Sequence, residues 1–252
     1  MSKIDISVLV TCHKERQYIL PAIESARLAI EKLKGEFSVT HEIIIYLDNS
    51  DSQTLAFANE VSESLGIEVY RGKNGDPGLS RMAAINCSNG EYIAFLDGDD
   101  LWSENWLVNA WKMVESSENE LREKTIFHPE YNLIFGNADL FVRQGDPSSD
   151  YFDLRYLRFA NYWDALCLAH RTIFNFCPIP GNNLALGFAH EDYNWNCKLI
   201  EKNFRHVLVK DTIHFKRRRT ASVSVNAEKD KNKVTPSLMQ KYKMQGDLND
   251  RS

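Results

Sequence analysis

The sequence predicts an α/β fold built around a mainly parallel sheet. In the first hundred residues, short apolar runs rich in Ile and Val alternate with longer segments that have the apolar spacing of a helix. The apolar runs lack strict alternation with polar residues, which indicates strands buried on both faces. Strands that alternate with helices form parallel sheets covered by helices on both sides. Because ligands bind such sheets beyond the carboxyl ends of the strands, polar residues at those ends are the first candidates for a functional site.

Four strands and three helices are predicted in this first part. The predicted strands are residues 4–11, 42–47, 67–70 and 92–96. The predicted helices are residues 15–34, 51–65 and 78–87. In the first helix, apolar residues recur every three or four positions and so fall on one face: Ile19, Ile23, Ala26 and Ile30.

Beyond residue 102 the pattern is less regular. The recognisable periods predict a long amphipathic helix over residues 103–123, one or two strands over 131–142, a helix over 190–203 and a strand over 205–209. Residues 151–172 are dense in aromatic side chains and fit no single element. Residues 226–252 have few apolar and many Lys, Asp and Asn side chains, which predicts a polar tail or an extension that needs a partner.

Composition narrows the class of protein. The chain has 252 residues, 43% hydrophobic and 26% charged, which excludes collagen-like, coiled-coil and mostly disordered chains. The net charge of −5 argues against nucleic acid as a partner, because a general nucleic-acid binder needs a strongly basic face. The five cysteines are odd in number and lack zinc-site spacing, which favours reduced thiols and a cytoplasmic location. No apolar run is long enough for a membrane helix, although peripheral attachment to a membrane stays open.

Three carboxylates, Asp97, Asp99 and Asp100, follow the last strand of the first part. Carboxylates this close repel one another unless a cation or hydrogen-bond donors compensate them. Hard divalent cations such as Mg²⁺ and Mn²⁺ favour such oxygen ligands and bridge to phosphates. The alternative is a solvated acidic turn that caps the following helix. Asp48 follows the second strand, so two strands present acids at the same edge of the sheet.

Three stretches have the order and content of a known family: ISVLVTCHKERQYILPAIES, EIIIYLDNSDSQT and GLSRMAAINCSNGEYIAFLDGDDLW. In them the chain resembles the family 2 glycosyltransferases, inverting enzymes of the GT-A fold that take a sugar from a nucleoside diphosphate. The resemblance implies one GT-A domain over residues 1–225. Its Rossmann-like nucleotide-sugar-binding half would be residues 1–102 and its smaller acceptor-binding half residues 103–225, followed by the polar tail 226–252.

The resemblance also implies residues on the donor side. Thr11 and Asp48 match residues that hold the nucleoside, and Asp48 would accept the N3–H of uracil or thymine. Arg81 matches an arginine near the diphosphate and the base. Asp97 matches the first acid of the DXD motif, which lies near the ribose and the diphosphate of the nucleotide, and Asp99 matches the acid that binds the metal most directly. The implied cofactor is Mn²⁺ or Mg²⁺, held by Asp99 with help from Asp97, and the implied donor carries UDP or dTDP rather than GDP or CDP.

Glu191 and Asp192 open the helix predicted over residues 190–203. Inverting sugar transfer needs a base that removes the proton of the acceptor hydroxyl. The two residues resemble the Glu-Asp pair of the family, which implies that Asp192 is the catalytic base and that Glu191 orients it or holds acceptor hydroxyls. The alternative is structural, because acids at the start of a helix are stabilised by the helix dipole.

Three further residues are expected on the acceptor side, where a glycan or a lipid-linked molecule would bind. Trp195 neighbours the candidate base and is expected to contact this acceptor, although most large aromatic side chains are core residues. Asn182 and Asn183 lie where the family has its acceptor-side loop and are expected to bind the acceptor as well.

A basic run at residues 216–219 stands late in this acidic chain. In members of the family a late basic segment lies over the diphosphate, which implies that Arg217 and Arg218 offset charge on the leaving group. A late histidine binds the metal in some members, so His214 is a candidate third ligand, with a structural hydrogen-bonding histidine as the alternative. The run could instead be a solvated surface or meet anionic lipid headgroups.

Together these inferences predict a metal-dependent inverting glycosyltransferase. It would transfer a sugar from a UDP- or dTDP-sugar to a hydroxyl of a glycan or lipid-linked acceptor, in polysaccharide or cell-surface glycan biosynthesis. One alternative is a non-catalytic or degenerate nucleotide-sugar-binding domain of a larger assembly. Another is a phosphatase of the haloacid-dehalogenase type, because FLDGDD resembles the start of that motif, which normally lies on the first strand.

Overall fold

The structure is a computed structural model that describes residues 3–184 and 188–219 and the backbone of residues 233–234. Its strands are β1 (Ile4–Cys12), β2 (His41–Asp48), β3 (Glu68–Gly72), β4 (Gly90–Asp97), β5 (Leu101–Trp102), β6 (Thr125–Gly136), β7 (Leu140–Arg143), β8 (Leu168–His170), β9 (Phe188–Ala189), β10 (Arg205–Arg218) and β11 (Lys233–Val234). Its α-helices are α1 (Ile19–Glu36), α2 (Ser52–Leu65), α3 (Pro77–Asn86), α4 (Trp106–Ser116), α5 (Asn119–Arg122), α6 (Arg171–Phe176) and α7 (Glu191–Glu201). Short 3₁₀ turns cover Arg16–Tyr18 and Leu154–Arg158.

A nine-stranded sheet runs through the described part of the chain in the order β3-β2-β1-β4-β8-β6-β10-β5, with β7 paired to β6. The first four strands in this order are parallel to one another. β8 is antiparallel to both of its neighbours, whereas β6 and β10 are again parallel. The α/β class and the mainly parallel sheet predicted from the sequence are confirmed. Because β1 lies between β2 and β4, the carboxyl ends of these three strands meet at one edge.

Helices cover both faces of the sheet, as strands buried on both sides require. One apolar cluster joins α1, α2 and α4 to one face and includes the predicted apolar side of the first helix. A second cluster joins α3, α6 and α7 to the other face. β1 contributes to both clusters because its side chains alternate between faces: Val8 and Val10 lie in the first and Leu9 in the second.

Trp195 is a central residue of the second cluster. Its side chain is fully buried, and its indole stacks on Phe174 with the ring centroids 5.3 Å apart. The indole N–H donates to the carbonyl of Cys177 at 2.7 Å, so the polar end of the ring is satisfied inside the core. Trp195 therefore fastens α7 to α6.

The prediction of a single long helix over residues 103–123 is wrong. Leu101–Trp102 forms β5, α4 ends at Ser116, and the separate short helix α5 follows an extended Ser117. The hydroxyls of Ser116 and Ser117 both donate to the carbonyl of Met113, at 3.1 and 2.7 Å. Serine hydroxyls that bond to carbonyls of the preceding turn compete with the helical hydrogen bonds, which accounts for the break.

The strand predicted over residues 205–209 is longer than expected. β10 continues to Arg218, because its residues from Ile213 onward pair in register with β6. An irregularity between Val209 and Ile213 separates the two paired stretches. Charged residues are depleted in strands, so the pattern of the basic run did not predict this extension.

Two other predicted regions complete the comparison. The one or two strands predicted over residues 131–142 are the end of β6 and the start of β7. The polar tail predicted over residues 226–252 lies outside the described residues, except for the backbone of β11, which pairs with β9. None of the helices within the described ranges is both long and apolar enough to cross a membrane.

Replacement of Trp195 by alanine should destabilise the fold. The change removes a fully buried indole and opens a cavity, which costs about 3–5 kcal/mol of the free energy of unfolding in protein cores. Phe176→Ala is the control, since Phe176 is 64% exposed on α6 and its loss should cost within about 0.5 kcal/mol. Urea unfolding followed by circular dichroism measures both variants. Equal unfolding midpoints would contradict the core role of Trp195.

Candidate active site

The candidate site lies at the edge of the sheet where β1 and β4 end side by side. Thr11 and Asp97 are opposite each other on these strands, and the Thr11 hydroxyl donates to Asp97 Oδ1 at 3.0 Å. Gly98 comes next, and a Cβ atom there would lie 2.4 Å from the Sγ atom of Cys12. The turn after β4 therefore packs directly on the end of β1, which no larger residue than glycine allows.

Arg81 of α3 links the two sides of the site. Its buried guanidinium donates to both oxygens of Asp97, at 3.0 and 3.2 Å, and to Glu191 Oε1 at 3.1 Å. Burial disfavours the charged form of Arg81, but the two carboxylates outweigh it and raise the Arg81 pKa. Burial would likewise raise the pKa of Asp97, but Arg81 and Lys216 hold it below its usual value. Asp97 and Arg81 are thus a charged pair at neutral pH.

The start of α3 is fixed to the second half of the chain. Asp76 caps the helix by accepting the N–H of Leu79 at 2.9 Å, and Pro77 takes the first helical position. The other oxygen of Asp76 accepts the N–H of Asn182 at 2.8 Å. The helix that carries Arg81 is thereby tied to the loop that precedes α7.

Asp48, at the end of β2, is buried and organises the loop before α3. Its carboxylate accepts the backbone N–H groups of Asn74 at 2.6 Å and Gly75 at 2.8 Å and the hydroxyl of Ser80 at 2.8 Å. Gly75 has a φ of +66°, a left-handed backbone that glycine adopts without strain. Asp48 thus lies at the predicted edge, with three of its roughly four acceptor positions already used by the chain.

The turn between β4 and β5 places Asp99 and Asp100 in different surroundings. Asp100 accepts the N–H of Arg217 at 2.7 Å, and its other oxygen lies 3.1 Å from His214 Nε2. Asp99 Oδ2 lies 2.7 Å from Arg219 Nε. Burial and the charge of Asp100 raise the pKa of Asp99 to about 7, against the opposing effect of Arg219.

The predicted metal ligands do not form a preformed metal cage. Within the described ranges, no group of three or more His, Cys, Asp or Glu side chains could hold a metal ion. The Asp97 carboxylate is taken up by Arg81 and Thr11. Asp99 fits one ligand position of a hard cation, because ions such as Mg²⁺ bind one or two carboxylates together with substrate phosphates. Burial and the charge of Asp100 raise its pKa, and a nearby cation would offset these effects by favouring the charged carboxylate.

Glu191 opens α7 and is held from both sides. Besides Arg81, the side-chain amide of Asn182 donates to it, reaching Oε2 at 3.1 Å. The preceding residue, His190, has a φ of +66°, a left-handed backbone that is uncommon for a residue with a side chain. The first turn of α7 therefore begins from a constrained backbone and a fixed carboxylate.

Asp192 is partly buried beside this fixed carboxylate. Its Oδ1 accepts the N–H of Tyr193 at 2.7 Å. Burial and the charge of Glu191 raise the pKa of Asp192 to about 7, while Lys216 opposes them. A carboxyl group with this pKa changes protonation state near neutral pH, which suits a group that accepts a proton.

On one face of the sheet, the end of β10 contacts the turn between β4 and β5 that carries Asp99. The guanidinium of Arg217 lies over the rings of Tyr18 and Phe135, 4.3 and 4.4 Å from their centroids, and its Nε donates to the Asp99 carbonyl at 3.1 Å. Arg218 is paired with the last residue of β6 at the end of β10. The structure therefore brings Arg217 to the predicted metal-binding turn.

The other face of β10 meets Asp164. Lys216 Nζ lies 3.0 Å and His214 Nδ1 3.9 Å from Asp164 Oδ2. Burial would raise the pKa of Asp164, but Lys216 and His214 bring it down to about 2. Burial opposes the charge of Lys216, yet Asp164 and Asp100 raise the Lys216 pKa. His214 is fully buried in this network, between Asp100 and Asp164, and its role as a third metal ligand stays a prediction.

Sequence reasoning missed part of this site. No motif marks Asp164, which lies in the aromatic-rich segment, and within the basic run Lys216 and Arg219 were not distinguished from their neighbours. Side chains alternate between the two faces of a strand, so Lys216 lies on one face of β10 and Arg217 and Arg219 lie on the other. A strand prediction that reached Arg218 would have identified both sets of residues.

The residues predicted to meet the acceptor separate into three cases. Asn182 lies in the site, bonded to Glu191. Asn183 exchanges two backbone hydrogen bonds of 2.9 Å with Phe188. The prediction that Trp195 contacts the acceptor is wrong, because the indole lies fully inside the core.

Known proteins resemble this chain mainly in its first half. Residues 7–121 match the sequence model of glycosyl transferase family 2. The amylovoran biosynthesis glycosyltransferase AmsB of Erwinia amylovora is 25% identical over 166 residues, 64% of this chain and 53% of AmsB. The poly(ribitol-phosphate) beta-N-acetylglucosaminyltransferase TarS of Staphylococcus aureus is 25% identical over 118 residues, 46% of this chain. These matches to TarS and to two glycosyltransferases from Rickettsia cover only 15% to 20% of the relatives' length.

Solved structures extend the likeness over most of the chain. TarS residues 1–349 in complex with UDP-GlcNAc matches with a TM-score of 0.63 and 18% identity, covering 87% of this chain and 60% of that one. The mannosyltransferase PcManGT of Pyrobaculum calidifontis, in complex with GDP-Man and Mn²⁺, matches with a TM-score of 0.59 and 12% identity, covering 94% and 67%. At such identities the likeness concerns the fold, and it confirms the GT-A architecture. Residues 7–121 therefore resemble glycosyltransferase family 2, and the chain has the GT-A fold.

Proposed function

We propose that this chain is an inverting glycosyltransferase that moves a sugar from a UDP- or dTDP-sugar to a hydroxyl of a glycan or lipid-linked acceptor. The Arg81 bridge supports this proposal, because one buried guanidinium ties Asp97 at the strand ends to Glu191 beside Asp192. A donor bound at the strand ends would thus lie next to a carboxyl group suited to accept a proton. The names of TarS and AmsB support a role in polysaccharide or cell-surface glycan biosynthesis.

Asp192 would be the catalytic base. It would take the proton of the acceptor hydroxyl while that oxygen bonds to the anomeric carbon and the bond from this carbon to the diphosphate breaks. Its pKa of about 7 combines an ionised fraction at neutral pH with useful proton affinity. Glu191, fixed by Arg81 and Asn182, would orient Asp192 or hold acceptor hydroxyls.

The departing diphosphate would meet cationic groups at the end of β10. Arg217 and Arg219 lie against Asp99, with Arg218 between them, and would donate charge-assisted hydrogen bonds to phosphate oxygens. Mn²⁺ or Mg²⁺ held by Asp99, with Asp97 beside it, would neutralise the same developing charge as a Lewis acid. The Mn²⁺ bound by PcManGT supports a divalent ion in this fold.

Thr11, Asp48 and Arg81 would hold the nucleoside. The remaining acceptor position of Asp48 would take the N3–H of uracil or thymine, a proton that cytosine lacks. The UDP-GlcNAc bound by TarS supports a uracil nucleotide as the donor. The GDP-Man bound by PcManGT makes a guanine nucleotide the competing donor. We place the reaction in the cytoplasm or at the cytosolic face of a membrane. The catalytic unit would be residues 1–225, with donor half 1–102 and acceptor half 103–225.

Thermal unfolding in the presence of nucleotides tests the donor class. UDP or dTDP with Mn²⁺ should raise the melting temperature, since a ligand at 100 times its Kd adds about 2.7 kcal/mol of stability. GDP and CDP should shift it much less, because neither base presents the N3–H that Asp48 would accept. A larger shift with GDP or CDP would contradict the role given to Asp48.

Asp99→Asn should remove the metal-dependent part of nucleotide binding, because an amide oxygen is a much weaker ligand for a hard cation than a carboxylate. Calorimetric titration of UDP with Mn²⁺ should then give the affinity that the unchanged protein shows with EDTA. Asp139→Asn, a change on the exposed surface, should keep the Mn²⁺ effect. An undiminished Mn²⁺ effect in Asp99→Asn would exclude Asp99 as the ligand.

The pH profile of donor turnover tests Asp192. A base acts only when deprotonated, so kcat/KM for hydrolysis of the bound UDP-sugar should rise with pH to a plateau, with a midpoint near the Asp192 pKa of about 7. Asp192→Asn should lower kcat by about 10²-fold or more and abolish this limb, while UDP affinity stays unchanged. Normal turnover in this variant, or an unchanged limb, would assign the base elsewhere.

A further inference from the structure

An exposed aromatic surface lies on the segment that precedes Trp163. We call it the aromatic shelf; it consists of Tyr151, Tyr156, Phe159 and Tyr162. Tyr151 is 97% exposed, Phe159 66% and Tyr156 50%. The ring of Tyr156 lies 5.5 Å from that of Tyr162 and 6.3 Å from that of Phe159 at the centroids, so these three rings are contiguous. Contiguous exposed apolar surface marks a binding site more often than isolated apolar residues do.

The shelf lines a surface cavity of about 420 Å³, together with Asp153, Arg155 and Arg158. Small-molecule sites have volumes of about 300–1,000 Å³ and combine aromatic walls with a few placed polar groups. This cavity therefore has the size and the composition of a ligand site.

The polar groups of the cavity are fixed or lack a partner. Arg155 donates to both oxygens of Asp153, from Nε at 3.0 Å and from Nη2 at 2.9 Å. The Tyr162 hydroxyl donates to the Asp153 carbonyl at 2.7 Å, which sets the position of that ring. Arg158 Nε is buried and has no hydrogen-bond partner among the residues that the structure describes. A buried donor without a partner is costly unless a ligand supplies an acceptor.

The shelf is connected to the candidate active site. The hydroxyl of Tyr193, the residue after Asp192, donates to the carbonyl of Leu157 in the 3₁₀ turn of the shelf segment. The same segment continues to Asp164, which pairs with Lys216. The segment that carries the aromatic shelf is thus joined to the region of Asp192 and Lys216 by one hydrogen bond, at Leu157, and by the chain that runs on to Asp164.

We propose that the aromatic shelf binds a sugar ring of the acceptor glycan, away from the hydroxyl that is glycosylated. The proposal rests on the function proposed above and adds a binding site for the acceptor. Sugar rings have apolar faces that pack on aromatic rings and hydroxyl groups that bond to arginine and carboxylate. Two arginines against one aspartate leave a single positive charge, and the surface is concave. Both features fit a glycan better than an anionic membrane surface.

Binding of the full chain to a printed array of bacterial surface oligosaccharides tests the shelf. The unchanged protein should bind at least one glycan, and the double variant Tyr156→Ala/Phe159→Ala should bind that glycan at least tenfold more weakly. Tyr151→Ala, which removes an almost fully exposed ring and leaves the fold intact, should also weaken it. Phe176→Ala, with matched 64% exposure outside the shelf, should not.

UDP titration with Mn²⁺ separates this proposal from the proposed function. UDP affinity should be equal in all four proteins. If the unchanged protein binds UDP but no glycan on the array, the proposed role of the aromatic shelf is wrong. It is also wrong if both shelf variants bind the glycan as well as the unchanged protein does. Binding to phosphatidylglycerol vesicles that the shelf variants abolish, with glycan binding unaffected, also overturns it and assigns the surface to a membrane. Shelf-dependent glycan binding without UDP binding supports the shelf and rejects the proposed donor chemistry.

Discussion

The geometry of the site depends on the contact of Arg81 with two carboxylates from opposite halves of the chain. Asp97 ends a strand of the first half and Glu191 begins a helix of the second, 110 residues after Arg81. Both bonds come from one planar group whose nitrogen atoms have fixed relative positions, so they set the separation of the two elements. Loss of the guanidinium would leave the carboxylates of Asp97 and Glu191 close together without a compensating charge, which favours the two elements moving apart.

Contact with Arg81 distinguishes a carboxyl group that stays ionised from the carboxyl groups that change protonation state near neutral pH. Asp97 touches Arg81 and has a lowered pKa, so it stays ionised. Asp99 and Asp192 lie outside the bridge, beside Asp100 and Glu191 respectively, and both have pKa values raised to about 7. Asp99 lies beside Arg217 and Arg219, and Asp192 lies beside Glu191, which is bonded to the loop that precedes α7. Carboxyl groups with different environments can thus serve a cation and a proton within one acidic site.

The sequence predicted the part of the fold that is governed by simple periodicity. Buried parallel strands and helices with one apolar face have distinct patterns, and Asp48, Asp97 and Asp99 follow from their positions at strand ends. Trp195 was misplaced because a neighbour in sequence along a helix points to another side, here into the core. Asp164 could not be predicted, since it lies in an irregular segment that only the tertiary fold brings to Lys216, where Asn132 of β6 also donates to its carboxylate at 3.0 Å.

The register of β10 decides what its basic residues can do. Alternation sends Lys216 to Asp164 on one face and Arg217 and Arg219 to the Asp99 turn on the other. The irregularity before this stretch fixes that register: Glu130 accepts the N–H of Asp211 at 2.8 Å and donates its own N–H to the Thr212 hydroxyl at 3.1 Å. A shift of one residue would exchange the two faces and place Phe215 or Arg217 opposite Asp164 instead of Lys216. The division of positive charge between the two faces of β10 therefore depends on the irregularity beside Glu130, before the basic run begins.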